Sequence, residues 1–200
     1  MKDRINIIIE FLKTIDDYKI VLREIYHKQG RQESDAEHSW HVAMFCFLFE
    51  KELPKEIDRI KLYKLALMHD IVEIYSGDPW FALNDTEKAE KRQKEQEAAK
   101  QLFAQLPSDL EKEFHDLFHE YEQGTTPEAK MIKGFDKLQP ILTNIAAGGI
   151  SWQKNKVTKE LLYKHKWDKV KEDELLKRIY ELLIEEAETK KLFYKDSQMI

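Results

Sequence analysis

Apolar positions recur at helical spacing along most of this chain. Ile5, Ile8, Ile9, Leu12, Ile15, Ile20, Leu22 and Ile25 predict a helical stretch over residues 3–27, broken near Asp16 and Asp17. Ser34 and Glu37 have the spacing of a capping box, and an almost wholly apolar run follows to Phe49, so a second helix is predicted there and read as central. Leu53 and Pro54 close it. A third helix, over residues 56–77, carries Leu62, Leu65, Ala66, Leu67, Met68, Ile71, Val72 and Ile74 and leaves hardly any polar face, so it is read as buried on most sides.

Ser76, Gly77, Asp78 and Pro79 supply turn chemistry, and Trp80 and Phe81 follow in a loop. Residues 84–105 restart as a helix rich in Lys, Glu and Gln, read as a solvated face with i,i+4 ion pairs. Further helices are predicted over residues 107–123 and 127–148. The second of these has a stripe of Met131, Phe135, Leu138, Leu142 and Ile145, a kink at Pro140 and a stop at Gly148 and Gly149. A polar connector after Ser151 leads to helices near 158–169 and 171–191, and residues 194–200 are read as a frayed end. Strand alternation of useful length, internal repeats and a glycine-rich phosphate loop are all absent. The expectation is an all-α protein, a single-domain helical bundle over residues 1–200, with the helices of residues 150–200 packing on the bundle.

Charge and composition narrow the partners. The formal net charge of −5 argues against nucleic acid as a partner. The single cysteine, Cys46, lies in an apolar run and is read as core filling. Apolar runs fall short of the roughly 20 residues of a membrane span. The N-terminal stretch has no small-residue cleavage pattern, so a cytoplasmic protein with no membrane partner is expected.

The chemistry concentrates where the pattern is most apolar. His69, Asp70 and Glu73 stand in the third helix, and Asp78 follows Gly77. At about 100° per residue, all three helical groups share one arc. Carboxylates and an imidazole crowded there lose hydration unless a cation or other partners compensate them. His38 lies in the first turns of the second helix, and Asp136 lies mid-helix beside Phe135, where capping does not account for it. His38, His69, Asp70 and Asp136 thus form a mixed nitrogen and oxygen set drawn from three helices. The cofactor expected is one divalent ion: Mn, Co, Ni, Fe, Mg or Zn. The set suits an octahedral ion better than a structural zinc. Glu73 and Asp78 are then spare carboxylates that can orient water or shuttle protons. His115 and His119 stand one turn apart on the helix of residues 107–123, but no third ligand recurs near them at a telling position.

Glu37-His38-Ser39-Trp40-His41, the run from Met68 through His69, Asp70, Glu73 and Gly77 to Asp78, and Phe135-Asp136-Lys137-Leu138 resemble the HD-domain metal-dependent phosphohydrolase superfamily. The Glu-His-Ser sequence and the His-Asp…Glu…Gly-Asp pattern resemble its 5′-deoxynucleotidase branch. The resemblance covers roughly residues 10–150, with the metal site within about 30–140. It implies an all-α bundle, a homodimer, His38, His69, Asp70 and Asp136 as metal ligands, and Glu73 and Asp78 near the scissile phosphate. The function it implies is release of phosphate from (deoxy)nucleoside 5′-monophosphates by metal-activated water. The alternatives are hydrolysis of another phosphate ester or a nucleoside triphosphate, or a metal-bound binding or regulatory module without turnover. Intact Glu73 and Asp78 favour the enzymes.

The Arg-Trp pair that precedes the first metal histidine in characterised nucleotidases is absent before His38. One divalent ion cannot neutralise Asp70, Glu73, Asp78 and Asp136, so a phosphate dianion needs basic contacts nearby. Lys19 and Arg23, four residues apart, are expected to share a helix face, either as a phosphate clamp or as a solvated stripe. Arg31 is the next candidate, and Trp80 is read as part of a substrate lid or as core packing.

Overall fold

In the computed structural model, which describes residues 3–195, ten helices and one β-hairpin follow one another along the chain. Residues 196–200 of the expected frayed end lie outside the described residues. Helix α1 (Arg4–Thr14) leads through a 3₁₀ turn (Ile15–Lys19) into strands β1 (Leu22–Tyr26) and β2 (Gln32–Ser34), which pair antiparallel. The first expectation therefore needs correcting, because residues 22–26 are strand and not helix. Leu22 is half exposed, whereas Arg23 and Ile25 turn inward. The inward arginine hid this period of two, since a polar residue occupies a core-facing position. Lys19 and Arg23 consequently share no helix face. The hairpin turns at Gly30, whose φ of 76° belongs to the left-handed region that a side chain disfavours.

Ser34 ends β2 and caps α2 (Asp35–Leu48), accepting from the Glu37 amide while the Glu37 side chain accepts from the Ser34 amide. The helix buries His38, Val42, Phe45 and Cys46, yet Trp40, Phe47 and Leu48 on it are exposed. Its apolar run is thus buried along one face only.

The expected third helix is broken. Helix α3 (Arg59–Met68) ends just before His69, residues 69–72 form turns, and α4 (Glu73–Ser76) is a single turn. Contracted bonds from Ile71 N to Met68 O and from Glu73 N to Asp70 O tighten the chain here. His69, Asp70 and Glu73 fan out from this break, and they do not line up along one helix.

Helices α5 (Asp85–Phe103), α6 (Ser108–Gln123) and α7 (Pro127–Ala146) follow; Asn84 caps α5 and Thr126 caps α7, while α6 starts after Pro107 without a side-chain cap. A short α8 (Ile150–Lys154) replaces part of the expected polar connector, and α9 (Lys159–Lys166) and α10 (Glu174–Thr189) complete the chain. Helix α7 is the spine. Its Ile132, Phe135, Leu138 and Ile141 are fully buried, and α2, α3, α6 and α10 pack around it. Leu176 of α10 sits so close to Gly134 that any side chain there would collide with it. Among the described residues, no helix is long and apolar enough to cross a membrane.

Candidate metal centre and active site

Three elements, α7 among them, bring four candidate ligand atoms together. Helix α2 supplies His38, the turn that follows α3 supplies His69 and Asp70, and the middle of α7 supplies Asp136; one ligand atom of each lies within 4.8 Å of the others. His38 Nε2 is 3.2 Å from His69 Nε2, 3.3 Å from Asp136 Oδ1 and 3.7 Å from Asp70 Oδ2. His69 Nε2 is 3.3 Å from Asp70 Oδ2.

Hydrogen bonds fix which imidazole nitrogen carries the proton. His69 Nδ1 lies 2.9 Å from the Ala66 carbonyl, a pure acceptor, so Nδ1 is the donor there. His38 Nδ1 lies 2.7 Å from Gln139 Oε1. That amide is oriented by its other end, which donates to Glu33 Oε1 at 2.7 Å and to Thr143 Oγ1 at 2.9 Å. Both Nε2 lone pairs therefore aim at one spot, beside two carboxylate oxygens. Burial, reinforced by Arg23, pushes His38 down to about 4, which keeps its ring neutral near pH 7. Asp136 stays ionised against the cost of burial chiefly through Lys137, and Asp70 chiefly through His69, whose own value Asp70 raises, so these two share a proton that a bound cation would displace. Four converging lone-pair donors of this kind fit a divalent cation.

Beside this set, one ligand oxygen from each of Asp35, Glu73 and Asp78 forms a second cluster. Arg23 joins the two groups. Its Nη1 is 3.2 Å from both Asp35 Oδ1 and Asp70 Oδ2 and 3.5 Å from Asp78 Oδ2, and its Nε is 3.5 Å from Glu33 Oε2. Burial and the neighbouring Asp70 push Asp35 up to about 7. Glu73 is raised well above the usual carboxylate range by burial and by Asp70 and Asp78. Its Oε1 accepts from Lys91 Nζ at 2.9 Å, while its buried Oε2 has no hydrogen-bond partner.

A cavity of about 270 Å³ opens onto these groups. Arg23, His69, Asp70, Glu73, Asp78, Trp80 and Asp136 all line it. Lys19 and Arg31 do not. Lys19 pairs with Asp16, and Arg31 forks onto Glu37 at 2.8 and 2.9 Å, both on the surface. Trp80 packs against Phe81 with ring centroids 4.3 Å apart, and Phe81 meets His165 edge-on. Sequence reasoning missed the other basic residues of the cavity: Lys88, Lys91 and Arg92 from α5, Lys133 and Lys137 from α7, and Lys166 from α9. The first three recur at the spacing of one helix face, a signal overlooked because charge on α5 was read as solvated. Lys133 and Lys137 flank Asp136 one turn apart. Lys166 carries no sequence signal.

Comparison with known proteins places the chain in a family. The sequence profile of the family described as HD domain matches residues 15–191. The human 5′-deoxynucleotidase HDDC2 is 34% identical over 137 residues, covering 68% of this chain and 65% of the relative. The Dictyostelium discoideum 5′-deoxynucleotidase HDDC2 is 36% identical over 142 residues, covering 67% and 74%. The matched segment thus spans just under two thirds of the human relative. A crystal structure from Magnetospirillum magnetotacticum, described as a predicted metal-dependent phosphohydrolase, superposes with a TM-score of 0.86 at 31% identity and covers 96% of both chains. An HD-domain phosphohydrolase from Listeria innocua, 20% identical, shares the fold with a TM-score of 0.66 over 92% of this chain and 89% of its own. With the profile matching most of its length and the four ligand positions converging, the chain belongs to the HD-domain family.

Proposed function

We propose that this protein is a metal-dependent phosphohydrolase that releases phosphate from (deoxy)nucleoside 5′-monophosphates. The observation that carries the reading is the pair of histidine Nε2 atoms, 3.2 Å apart and flanked by two carboxylates, with His69 lining a cavity that spare carboxylates and basic residues share. His38, His69, Asp70 and Asp136 would hold one divalent ion. When bound, the ion supplies Lewis acidity toward a phosphoryl oxygen and the attacking water. Relatives named 5′-deoxynucleotidases support the nucleotide substrate.

The remaining roles fall to the chain's own groups. Glu73 has one oxygen anchored on Lys91 and the other free, which suits it to take a proton from water or return one to the leaving oxygen. Asp78 faces the same space and orients water. Arg23, shared among four carboxylates, holds Asp70 and Asp78 in position and has little capacity left for substrate. Trp80 and Phe81 form an apolar wall against which a base can stack. A homodimer in the cytoplasm completes the reading. The dimer is supported by the exposed Trp40, Phe47 and Leu48 of α2 and the exposed Ile60 and Leu67 of α3, which packs against it.

The test is metal-stripped protein, reloaded singly with Mn, Co, Ni, Fe, Mg or Zn, and assayed for phosphate release from ribo- and deoxynucleoside mono- and triphosphates. Metal-dependent turnover of monophosphates is expected. Metal binding without turnover of any ester would leave a binding or regulatory module instead.

A further inference from the structure

The basic residues of the cavity differ in what already satisfies them. Arg23 is shared among four carboxylates, and Lys91 bonds Glu73 and Glu95 at 2.9 Å each. Lys137 bonds Asp136 Oδ2 at 2.7 Å, and Lys88 pairs with Asp85 at 3.1 Å. Lys166 differs from these four. It is only 5% exposed, and among the described residues its ammonium has neither an ion-pair nor a hydrogen-bond partner. Its ammonium lies over the face of Phe81, 5.2 Å from the ring centroid.

Burying an ammonium without a counter-charge is costly, and a well-packed fold seldom keeps one without a use. Here the group lines the same cavity as His69, Asp70 and Asp136, on the wall where Lys133 and Lys137 also stand. The Lys133 ammonium is likewise without a carboxylate and lies 4.2 Å from the Tyr121 ring centroid. Like charges gather on this wall, and Asp136, the acid whose charge acts on Lys166, is one of the four metal-ligand candidates. With a divalent ion drawing on Asp136, the wall becomes strongly positive. An anion that reaches both the ion and this wall would satisfy every group at once.

We propose that Lys166, with Lys137 beside it, binds the phosphoryl group of the substrate and selects a phosphate dianion. The proposal rests on the phosphohydrolase reading and deepens it, since α9 lies well beyond the His-Asp and Phe-Asp motifs that mark the site in sequence. The ring of Phe81 sets the direction of the Lys166 stem. It thereby couples phosphate binding to the loop that carries Trp80.

Lys166→Met tests this, because methionine keeps the stem and removes the charge. Inorganic phosphate would be titrated calorimetrically into wild type and variant, each metal-free and loaded with Mg, and steady-state kinetics run on a deoxynucleoside monophosphate. Phosphate affinity is expected to fall about 10–100-fold in both metal states, the range for loss of a charge-assisted bond, with a matching rise in KM and a smaller change in kcat. Lys166→Arg should stay within a few-fold of wild type, which controls for any structural effect of the methionine. Phosphate affinity of the methionine variant within twofold of wild type, or no phosphate binding by wild type, overturns the proposal. Should wild type bind phosphate through Lys166 yet turn over no nucleotide, the proposal stands and the nucleotidase reading falls. Turnover that is indifferent to Lys166 has the opposite meaning.

Discussion

His38 Nδ1 lies 2.7 Å from Gln139 Oε1, and both side chains are completely buried. This contact suits His38 to the ligand role proposed for it, because it places the ring proton on Nδ1 and leaves Nε2 free. Gln139 is itself held by Glu33 and Thr143, so the tautomer is decided three residues away from the metal.

Gln139→Met should therefore weaken metal binding about 10–100-fold, the usual effect of losing a group that orients a ligand. A competition titration against a chelating dye measures it. Helical content should persist, since methionine matches the volume. Unchanged metal affinity would mean that His38 needs no orienting partner.

Glu73→Gln should separate proton handling from metal binding. The amide still meets Lys91 through its oxygen, so the variant is expected to bind metal with native stoichiometry. Its kcat should fall by about 10²–10⁴-fold, the range for general acid–base groups. Loss of metal along with activity would make Glu73 a ligand.

Arg23→Met should destabilise the protein before it affects chemistry. Glu33 and Asp35 are buried and would lose their counter-charge, a change that typically costs about 3–5 kcal/mol. Denaturant titration of the metal-free protein reads this directly. Arg23→Lys should rescue only part of it, because a single ammonium cannot span acceptors on both the Nε and Nη1 sides. A melting curve indifferent to both changes would return Arg23 to the role of a free phosphate clamp.

Lys166 should also write itself into the pH dependence of stability. Burial, aided by Lys137 and Arg23 and opposed by Asp136, pushes its ammonium from the ordinary 10.5 down to about 7. Between those values the unfolded chain holds a proton here that the folded chain has released, so stability rises with pH across that window. Below about 7 both states are protonated and the folded protein bears the full cost, on the order of a few kcal/mol. Lys166→Met should thus stabilise the protein most at pH 7 and progressively less toward pH 10. A gain that is constant across this range would contradict the assignment.

The order of elements from α5 to α7 was legible in the pattern alone, because capping residues, glycine stops and a period near 3.6 agree there. The four ligand candidates were legible too. His38, His69, Asp70 and Asp136 are polar residues set in apolar surroundings, and a chain keeps such residues for a reason that shows locally. The hairpin was not legible, because inward-facing Arg23 disguised a strand as part of a helix. Nor was the break after Met68, where apolar residues continue straight through a turn and periodicity reports burial without reporting backbone direction. The cavity's basic wall was the least accessible of all. Lys91, Lys137 and Lys166 come from three helices, and nothing in the local sequence of α9 distinguishes a lysine bound for solvent from one folded against Phe81. Local chemistry is written in neighbouring residues. Which charges meet across a cavity is decided only when α5, α7 and α9 pack, since the cost of burying an ammonium depends on what surrounds it in space.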